Sequence, residues 1–237
     1  MEHEHSRNAI ADRLARAPTV SYLRDWVYGG IDGAVTTFAI VAGVVGAELS
    51  NRVVLILGAA NLVADGFSMA ASNYSGTKTE HEELAQLRAV EERHIDTVPD
   101  GEREEIRQIF RAKGFEGDQL EQAVAVITRD RERWVDTMLA EEYGLPKVVR
   151  QPLKAAASTF AAFVLCGAIP LLPFLFQTAG RFEQSVVVTA LVFFLIGSTK
   201  SRWSPVSWWR SGAETLVIGL GAAALAYTVG ALLRSVV

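Results

Sequence analysis

The sequence predicts an all-α membrane protein, with five transmembrane helices and a cytoplasmic helical domain inserted after the second. Half of the 237 residues are hydrophobic and only 21% are charged. The charges are unevenly spread, because two thirds of the 27 Asp and Glu side chains lie between Thr79 and Glu142. Such segregation indicates a membrane-embedded part and a water-exposed part in one chain.

The composition excludes several classes of protein. A formal net charge of −4 leaves no basic face for phosphates, so nucleic acid is not expected as a partner. The single cysteine, Cys166, cannot form an intrachain disulfide or a cysteine-based metal motif. The chain has no Gly-x-x-x-x-Gly-Lys-Ser/Thr loop for nucleotide phosphates, which argues against an ATP-driven pump.

The N-terminal segment, residues 1–25, is predicted to be a polar extension. It has no apolar run before Val20, so we do not expect a cleavable signal peptide. His3 and His5 would allow a weakly metal-binding tail, but a disordered end is favoured.

Five segments approach the roughly 20 apolar residues that a transmembrane helix needs. They are Trp26–Ala47, Val53–Tyr74, Ala155–Gly180, Gln184–Thr199 and Ala213–Leu233. The fourth is shorter than a bilayer requires, so residues on either side of it would have to complete the span. Lys and Arg alternate between the connecting loops in a way that places the N-terminus and the insert in the cytoplasm and the C-terminus outside. The predicted domains are residues 1–25, 26–74, 75–150 and 151–237.

The insert is predicted to be helical. The second span continues as a helix into water, and Pro99–Gly101 breaks it. A short amphipathic helix follows over Glu102–Lys113, and Asp118 caps a longer helix that reaches Tyr143. The apolar faces of these two helices are expected to pack against each other. The first face consists of Ile106, Ile109 and Phe110, and the second of Val124, Ile127 and Val135.

Polar residues inside the spans predict an ion path. Charged side chains are costly in a membrane and indicate function, which singles out Asp32 in the first span. In the second span, four-residue spacing stacks Asn61, Asp65, Met69 and Asn73 on one helix face. Carboxylates suit hard divalent ions, and a thioether favours softer transition metals. The alternatives are an interfacial carboxylate near a helix start and a polar seam between helices.

Two prolines interrupt the third span. Pro170 and Pro173 each release a backbone carbonyl from helical hydrogen bonding within the membrane. These carbonyls could line a cavity, and a purely structural kink is the equal alternative.

The insert carries clusters of possible metal ligands. Glu91 and His94, and Glu102 and Glu105, are pairs three residues apart, and Glu142 follows Met138 by one helical turn. A Glu-x-x-His pair can hold iron in a helical bundle. Any one pair is usual on a solvated helix face, whereas the cluster, in an acidic segment, suits the concentration of cations.

Four motifs together resemble the vacuolar iron transporter family, whose members export Fe²⁺ and Mn²⁺ from the cytosol. They are Asp32–Phe38, Ala64–Ala70, Gly167–Pro173 and the fifth span from Arg210 to Gly230. The resemblance implies a homodimer with the ion path between protomers, protons as counter-ions, and Asp32 and Met69 on the path. It also implies a cytoplasmic helical metal-binding domain.

In that domain the resemblance implies a set of metal ligands, namely Glu91, His94, Glu102, Glu105, Met138 and Glu142. Zn²⁺ and other divalent ions are expected to bind there as well as Fe²⁺ and Mn²⁺. The sequence departs from the family pattern at His94, where a glutamate is expected, and at Asn73, where a nearby glutamate is missing. Both changes bear on ion preference.

The leading hypothesis is therefore a divalent-metal/proton antiporter of the lipid bilayer, and not an enzyme. It would lie in the plasma membrane of a bacterium or the vacuolar membrane of a eukaryote. An iron-storage or ferroxidase protein anchored in the membrane is the alternative, but such a site needs two Glu-x-x-His motifs, and only Glu91-x-x-His94 fits. A membrane scaffold with an acidic docking domain would leave Asp32 and Asp65 unexplained.

Overall fold

A computed structural model describes residues 4–15, 20–146 and 148–234 and shows that these parts of the chain are helical, without a β-strand. The α-helices within them are α1 (Arg7–Ala15), α2 (Leu23–Gly46), α3 (Asn51–Thr97), α4 (Pro99–Ala112), α5 (Gly117–Thr128), α6 (Arg131–Glu141), α7 (Pro152–Ala168), α8 (Leu172–Leu175), α9 (Arg181–Lys200) and α10 (Trp208–Arg234). Short 3₁₀ segments follow α7 and α9. Of the two N-terminal histidines, His5 is exposed, and His3 lies outside the described residues.

Five helical segments are long and apolar enough to cross a membrane, which confirms the predicted number. They are Leu23–Gly46, Asn51–Thr97, Pro152–Leu175, Arg181–Trp203 and Trp208–Arg234. Each differs from its predicted range by a few residues at the ends, except α3. This helix is one element of 47 residues, so the helix of the second span does continue past its predicted end at Tyr74.

The chain divides into two compact units. One, here called the membrane unit, comprises Ser21–Gly76 and Gln151–Val237, and contains the apolar half of α3 and all the other spans. The second, here called the insert, comprises Thr77–Arg150 with the described part of Met1–Val20.

Glycines bring the backbones of the membrane unit close together. A Cβ atom added to Gly33 of α2 would lie 2.3 Å from the backbone oxygen of Phe163 in α7. One added to Gly230 of α10 would lie 2.2 Å from the backbone oxygen of Gly43 in α2. α2 therefore packs against two neighbours at distances that only a hydrogen side chain permits, as in many membrane helix pairs.

The proline-rich end of the third span is a kink. The carbonyls left by Pro170 and Pro173 accept other backbone N–H groups, because Ile169 donates to Cys166 and Leu172 donates to Ile169. The hydroxyl of Ser185 in α9 also donates to the carbonyl of Pro170 at 2.7 Å. These carbonyls are satisfied within the protein, which favours the structural interpretation over a cavity lined by free carbonyls.

The core of the insert confirms the predicted packing of apolar faces. Ile106, Val124 and Val135 are buried in one cluster, and Ile109, Phe110 and Ile127 pack against it.

Three predicted helix boundaries in the insert were wrong. Asp118 does not cap a helix, because α5 begins at Gly117 with Glu116 as its N-cap residue, and Asp118 lies in the first turn. The break after α3 lies at Val98 alone, because Pro99 fits the first position of α4, where its missing N–H is not needed. The expected single helix from Asp118 to Tyr143 is divided into α5 and α6. Asp130 divides it, since its carboxylate accepts the backbone N–H of Arg133 at 3.0 Å and caps α6.

Candidate functional site

Three side chains of the insert form a compact group that we call triad A. Glu91 and His94 lie one turn apart near the end of α3, and the turn at Val98 returns the chain so that Glu102 of α4 faces them. One ligand atom from each of Glu91, His94 and Glu102 lies within 4.8 Å of the other two. The Nδ1 atom of His94 is 3.3 Å from Oε1 of Glu102.

A second group, triad B, shares Glu91. It consists of Glu91, Glu105 and Glu142, and its carboxylate oxygens also lie within 4.8 Å of one another. Glu105 follows Glu102 by one turn of α4, and Glu142 is the C-cap residue of α6. Three helices thus bring five of the six predicted metal ligands together.

Because the carboxylates of triad A are buried, their ionised forms are destabilised unless a cation lies nearby. Glu91 is 1% and Glu102 is 3% exposed, and the described residues donate no hydrogen bond to the buried Oε2 atom of either side chain. The Oε1 atom of Glu91 accepts the hydroxyl of Tyr143 at 2.9 Å. Buried charges are normally paired or bound to metal, so the two unpartnered oxygens fit a cation at this place.

The pKa values in the insert follow from the same burial and repulsion. Burial, together with repulsion from Glu105 and Glu91, raises the pKa of Glu102 to about 7. Burial and the same two neighbours raise the pKa of Glu142 as well. The pKa of Tyr143 is also raised, by burial and by its hydrogen bond to Glu91. The carboxyl group of Glu102 therefore titrates near neutral pH, where a divalent ion would compete with its proton.

The structure places the sixth predicted ligand, Met138, in the apolar core of the insert. It is fully buried beside Trp134 and Val135. Its carbonyl oxygen accepts the backbone N–H of Glu142 at 2.9 Å, so its backbone is joined to triad B. A ligand role for its sulfur stays a prediction.

In the membrane unit, the predicted polar stripe of α3 faces α2. Asn61 donates from Nδ2 to the hydroxyl of Thr36 at 3.1 Å and to that of Thr37 at 3.4 Å. Thr36 in turn donates to the backbone oxygen of Asp32 at 2.9 Å. Asn61 thus lies in a hydrogen-bonded chain that ends at the peptide group of Asp32.

Asp32 and Asp65 lie close enough to interact electrostatically across the two helices. Both are half-buried, and so is Met69, which follows Asp65 by one turn on the same face of α3. The described residues provide neither aspartate with a Lys or Arg partner within 4.0 Å. The arrangement puts two carboxylates and a thioether along one side of α3.

The last predicted residue of the stripe, Asn73, revealed a buried aspartate that sequence reasoning missed. Asn73 donates from Nδ2 to Oδ1 of Asp25 at 2.9 Å and to the hydroxyl of Thr159 at 2.7 Å. Asp25 is only 1% exposed. It lies seven residues before Asp32, a spacing that puts both on one face of α2 and could have identified it.

Comparisons with known proteins identify the family of the chain. The VIT family model matches residues 23–231. Vacuolar iron transporter 1 of Arabidopsis thaliana is 32% identical over 208 residues, which cover 86% of this chain and 83% of the plant protein. The vacuolar iron transporter of Toxoplasma gondii is 32% identical over 228 residues, 91% of this chain and 76% of the relative. Vacuolar iron transporter 2 of Oryza sativa subsp. japonica is 32% identical over 217 residues, 90% and 88% of the two chains.

The match extends over both units and includes the motifs that carry Asp32, Met69 and the acidic helices of the insert. The resemblance noted in the sequence is confirmed, and the chain belongs to the VIT family.

Proposed function

We propose that this protein is a secondary transporter of divalent transition metals, which exports Fe²⁺ or Mn²⁺ from the cytosol in exchange for protons. The observation that carries the proposal is the pair of carboxylates, Asp32 and Asp65, in neighbouring membrane spans. The names of the relatives, vacuolar iron transporters, support the class of substrate.

The carboxylate pair supplies a reason for exchange. Two negative charges on half-buried side chains, within electrostatic range of each other, repel, and either protons or a divalent cation would relieve the repulsion. Binding of a metal ion at Asp32 and Asp65 would therefore release protons, and protonation would release the metal. Met69 adds a soft ligand beside the pair, which favours Fe²⁺. Asn61 and Asn73 would bind partly hydrated ions at the two ends of the stripe.

The insert would act as a collecting station for metal ions. Glu91, His94, Glu102, Glu105 and Glu142 offer enough ligands for more than one Fe²⁺, Mn²⁺ or Zn²⁺ ion. For this role the insert and the N-terminus must face the cytoplasm, as the Lys and Arg distribution predicts. We place the protein in the plasma membrane of a bacterial cell or the vacuolar membrane of a eukaryotic one.

We further propose a homodimer with the path between the protomers. A dimer would shield the half-buried polar face of α3 from lipid, which an isolated chain cannot do. Cross-linking in native membranes would test this, and a monomer that transports at the full rate would contradict it.

Transport by purified protein in liposomes tests the main proposal. Asp32→Asn is expected to abolish Mn²⁺ uptake, because an amide keeps the shape of the side chain but loses the charge. Glu214→Gln is the matched control: Glu214 is an exposed carboxylate in α10, outside the stripe, and its loss should leave uptake unchanged. Normal uptake by Asp32→Asn would contradict the assignment of the path.

A pH-sensitive dye trapped in the same liposomes tests the coupling. Metal entering the lumen should drive protons out, so the lumen should become more alkaline. A silent dye during metal accumulation would contradict antiport while leaving metal transport intact.

Triad A favours one alternative function, a membrane-anchored ferroxidase or iron store. Two glutamates and a histidine resemble half of a di-iron site. Oxygen consumption on addition of Fe²⁺ would support this alternative. Equal Mn²⁺ uptake with and without oxygen would favour transport, since Mn²⁺ transfer needs no oxidation.

A further inference from the structure

Triads A and B share Glu91 and differ in the chemical type of only one of their other two ligands. Both use Glu91, and both add a carboxylate from α4, Glu102 or Glu105. The third ligand of triad B is the carboxylate of Glu142, whereas that of triad A is the imidazole of His94. Two neighbouring sites therefore offer an incoming ion either three oxygens or two oxygens and a nitrogen.

Ligand chemistry makes these sites unequal. Carboxylate sites suit hard ions such as Mn²⁺, and an imidazole nitrogen suits ions later in the Irving–Williams series, such as Zn²⁺ and Fe²⁺. We infer that His94 is a specificity-determining ligand, which makes triad A prefer Fe²⁺ and Zn²⁺ over Mn²⁺ while triad B keeps the preference of an all-oxygen site. This inference rests on the proposed function of the insert in collecting metal.

The surroundings of His94 favour a ligand role. Its side chain is 43% exposed, so an ion from solvent can reach the ring, and its Nδ1 atom is 3.3 Å from Glu102. The unpartnered Oε2 atoms of Glu91 and Glu102 lie buried in the same triad. An ion bound by His94 would therefore also satisfy two oxygens that the described residues leave without a hydrogen bond.

Sharing of Glu91 links the two sites. Its Oε1 atom accepts a hydrogen bond from Tyr143, and its Oε2 atom accepts none from the residues that the structure describes. A carboxylate can bind one ion at each oxygen, so Glu91 could bridge ions in both triads. An ion in triad A would then lower the negative charge available to triad B, and the two sites should fill with different affinities even for one metal.

A purely electrostatic role for His94 is the competing explanation. If His94 only neutralised Glu102 as an imidazolium, its replacement by glutamate would change the affinity for every divalent ion by a similar factor. A ligand role instead changes the affinities unequally. The ratio of the Mn²⁺ and Zn²⁺ dissociation constants therefore separates the two explanations.

The test uses the full chain, purified in detergent and carrying His3→Gln and His5→Gln so that the N-terminal imidazoles do not contribute. Zn²⁺ and Mn²⁺ are titrated separately by calorimetry at one pH. In this background His94→Glu should reduce the preference for Zn²⁺ over Mn²⁺ at the tightest site by about tenfold, since a nitrogen ligand is exchanged for an oxygen.

His81→Gln is the matched control. His81 lies on α3 as well, but outside both triads, with its Nε2 atom 2.6 Å from the backbone oxygen of Arg150. It should leave the ratio unchanged. An unchanged ratio in His94→Glu would overturn the inference and leave the proposed metal-collecting role standing. Absence of Zn²⁺ and Mn²⁺ binding in the parent chain would overturn both.

Discussion

Replacement of Glu102 by glutamine should stabilise the metal-free insert and weaken its metal binding at the same time. Burial and the repulsion from Glu105 and Glu91 raise the pKa of Glu102 to about 7 from an ordinary 4.5. The folded insert therefore favours the protonated carboxyl, and ionisation at higher pH destabilises it. Glutamine has nearly the same shape and cannot ionise.

The size and pH range of this effect follow from the pKa. Each pH unit between the two values corresponds to about 1.4 kcal/mol, so ionised Glu102 destabilises the metal-free fold by at most about 3.5 kcal/mol. The sign follows from the raised pKa: the stability that Glu102 contributes is fully present below pH 4.5 and is lost as the pH rises through about 7. The advantage of Glu102→Gln should therefore be largest above pH 7 and disappear below 4.5.

Amide hydrogen exchange of the full chain in detergent, read by mass spectrometry on peptides from α4 and α6, measures the local stability. With a chelator near pH 8, Glu102→Gln should exchange more slowly than the parent, whereas added Mn²⁺ should protect the parent far more than the variant. Glu104→Gln is the control on the same helix, because Arg107 lowers the pKa of Glu104, and its loss should bring no protection. Equal or faster exchange in Glu102→Gln near pH 8 would refute the reasoning.

Three further changes test the membrane unit. Gly33→Ala should destabilise the detergent-purified protein by about 1–3 kcal/mol, because the new Cβ would lie 2.3 Å from the oxygen of Phe163; Gly221→Ala, with nothing within 4 Å of its Cβ, should leave the melting temperature unchanged. Asn73→Leu should cost about 1–3 kcal/mol because two buried oxygens lose their shared donor, and an unchanged melting temperature would contradict that role. Met69→Ala should slow Fe²⁺ uptake into liposomes more than Mn²⁺ uptake, and equal slowing would show that the sulfur does not discriminate between the ions.

The sequence predicted the membrane helices well because their signal is local. A run of about 20 apolar residues has few other uses, so the five spans could be found one by one. The division between α5 and α6 could not be found in this way. Apolar residues continue at helical spacing through Asp130, and a single capping carboxylate contributes only about 1 kcal/mol. The pattern alone could not show that the cap prevails over a continuous helix.

The spacing of the ligands along each helix of the insert could be predicted from the sequence, but their assembly into one site could not. Glu91 and His94 are one turn apart in the sequence, and so are Glu102 and Glu105. Their convergence depends on the turn at Val98, which the sequence placed two residues too late. Asp25 was missed for a different reason: a carboxylate at a helix start beside an arginine usually lies in water. Its burial depends on side chains that are 48 and 134 residues away in the sequence.

Ion pairing distinguishes the glutamates of the two triads from several surface carboxylates of the insert. On the surface of the insert, several acidic side chains have cationic partners: Asp96 pairs with Arg131, and Glu141 pairs with Lys113. Among the described residues, none of the four glutamates in the two triads pairs with Lys or Arg. Fixed cations would neutralise these carboxylates permanently and remove their affinity for metal. Without them, the charge must be met by protons or by metal ions, so in the proposed role the same groups would bind an ion at one pH and release it at a lower one.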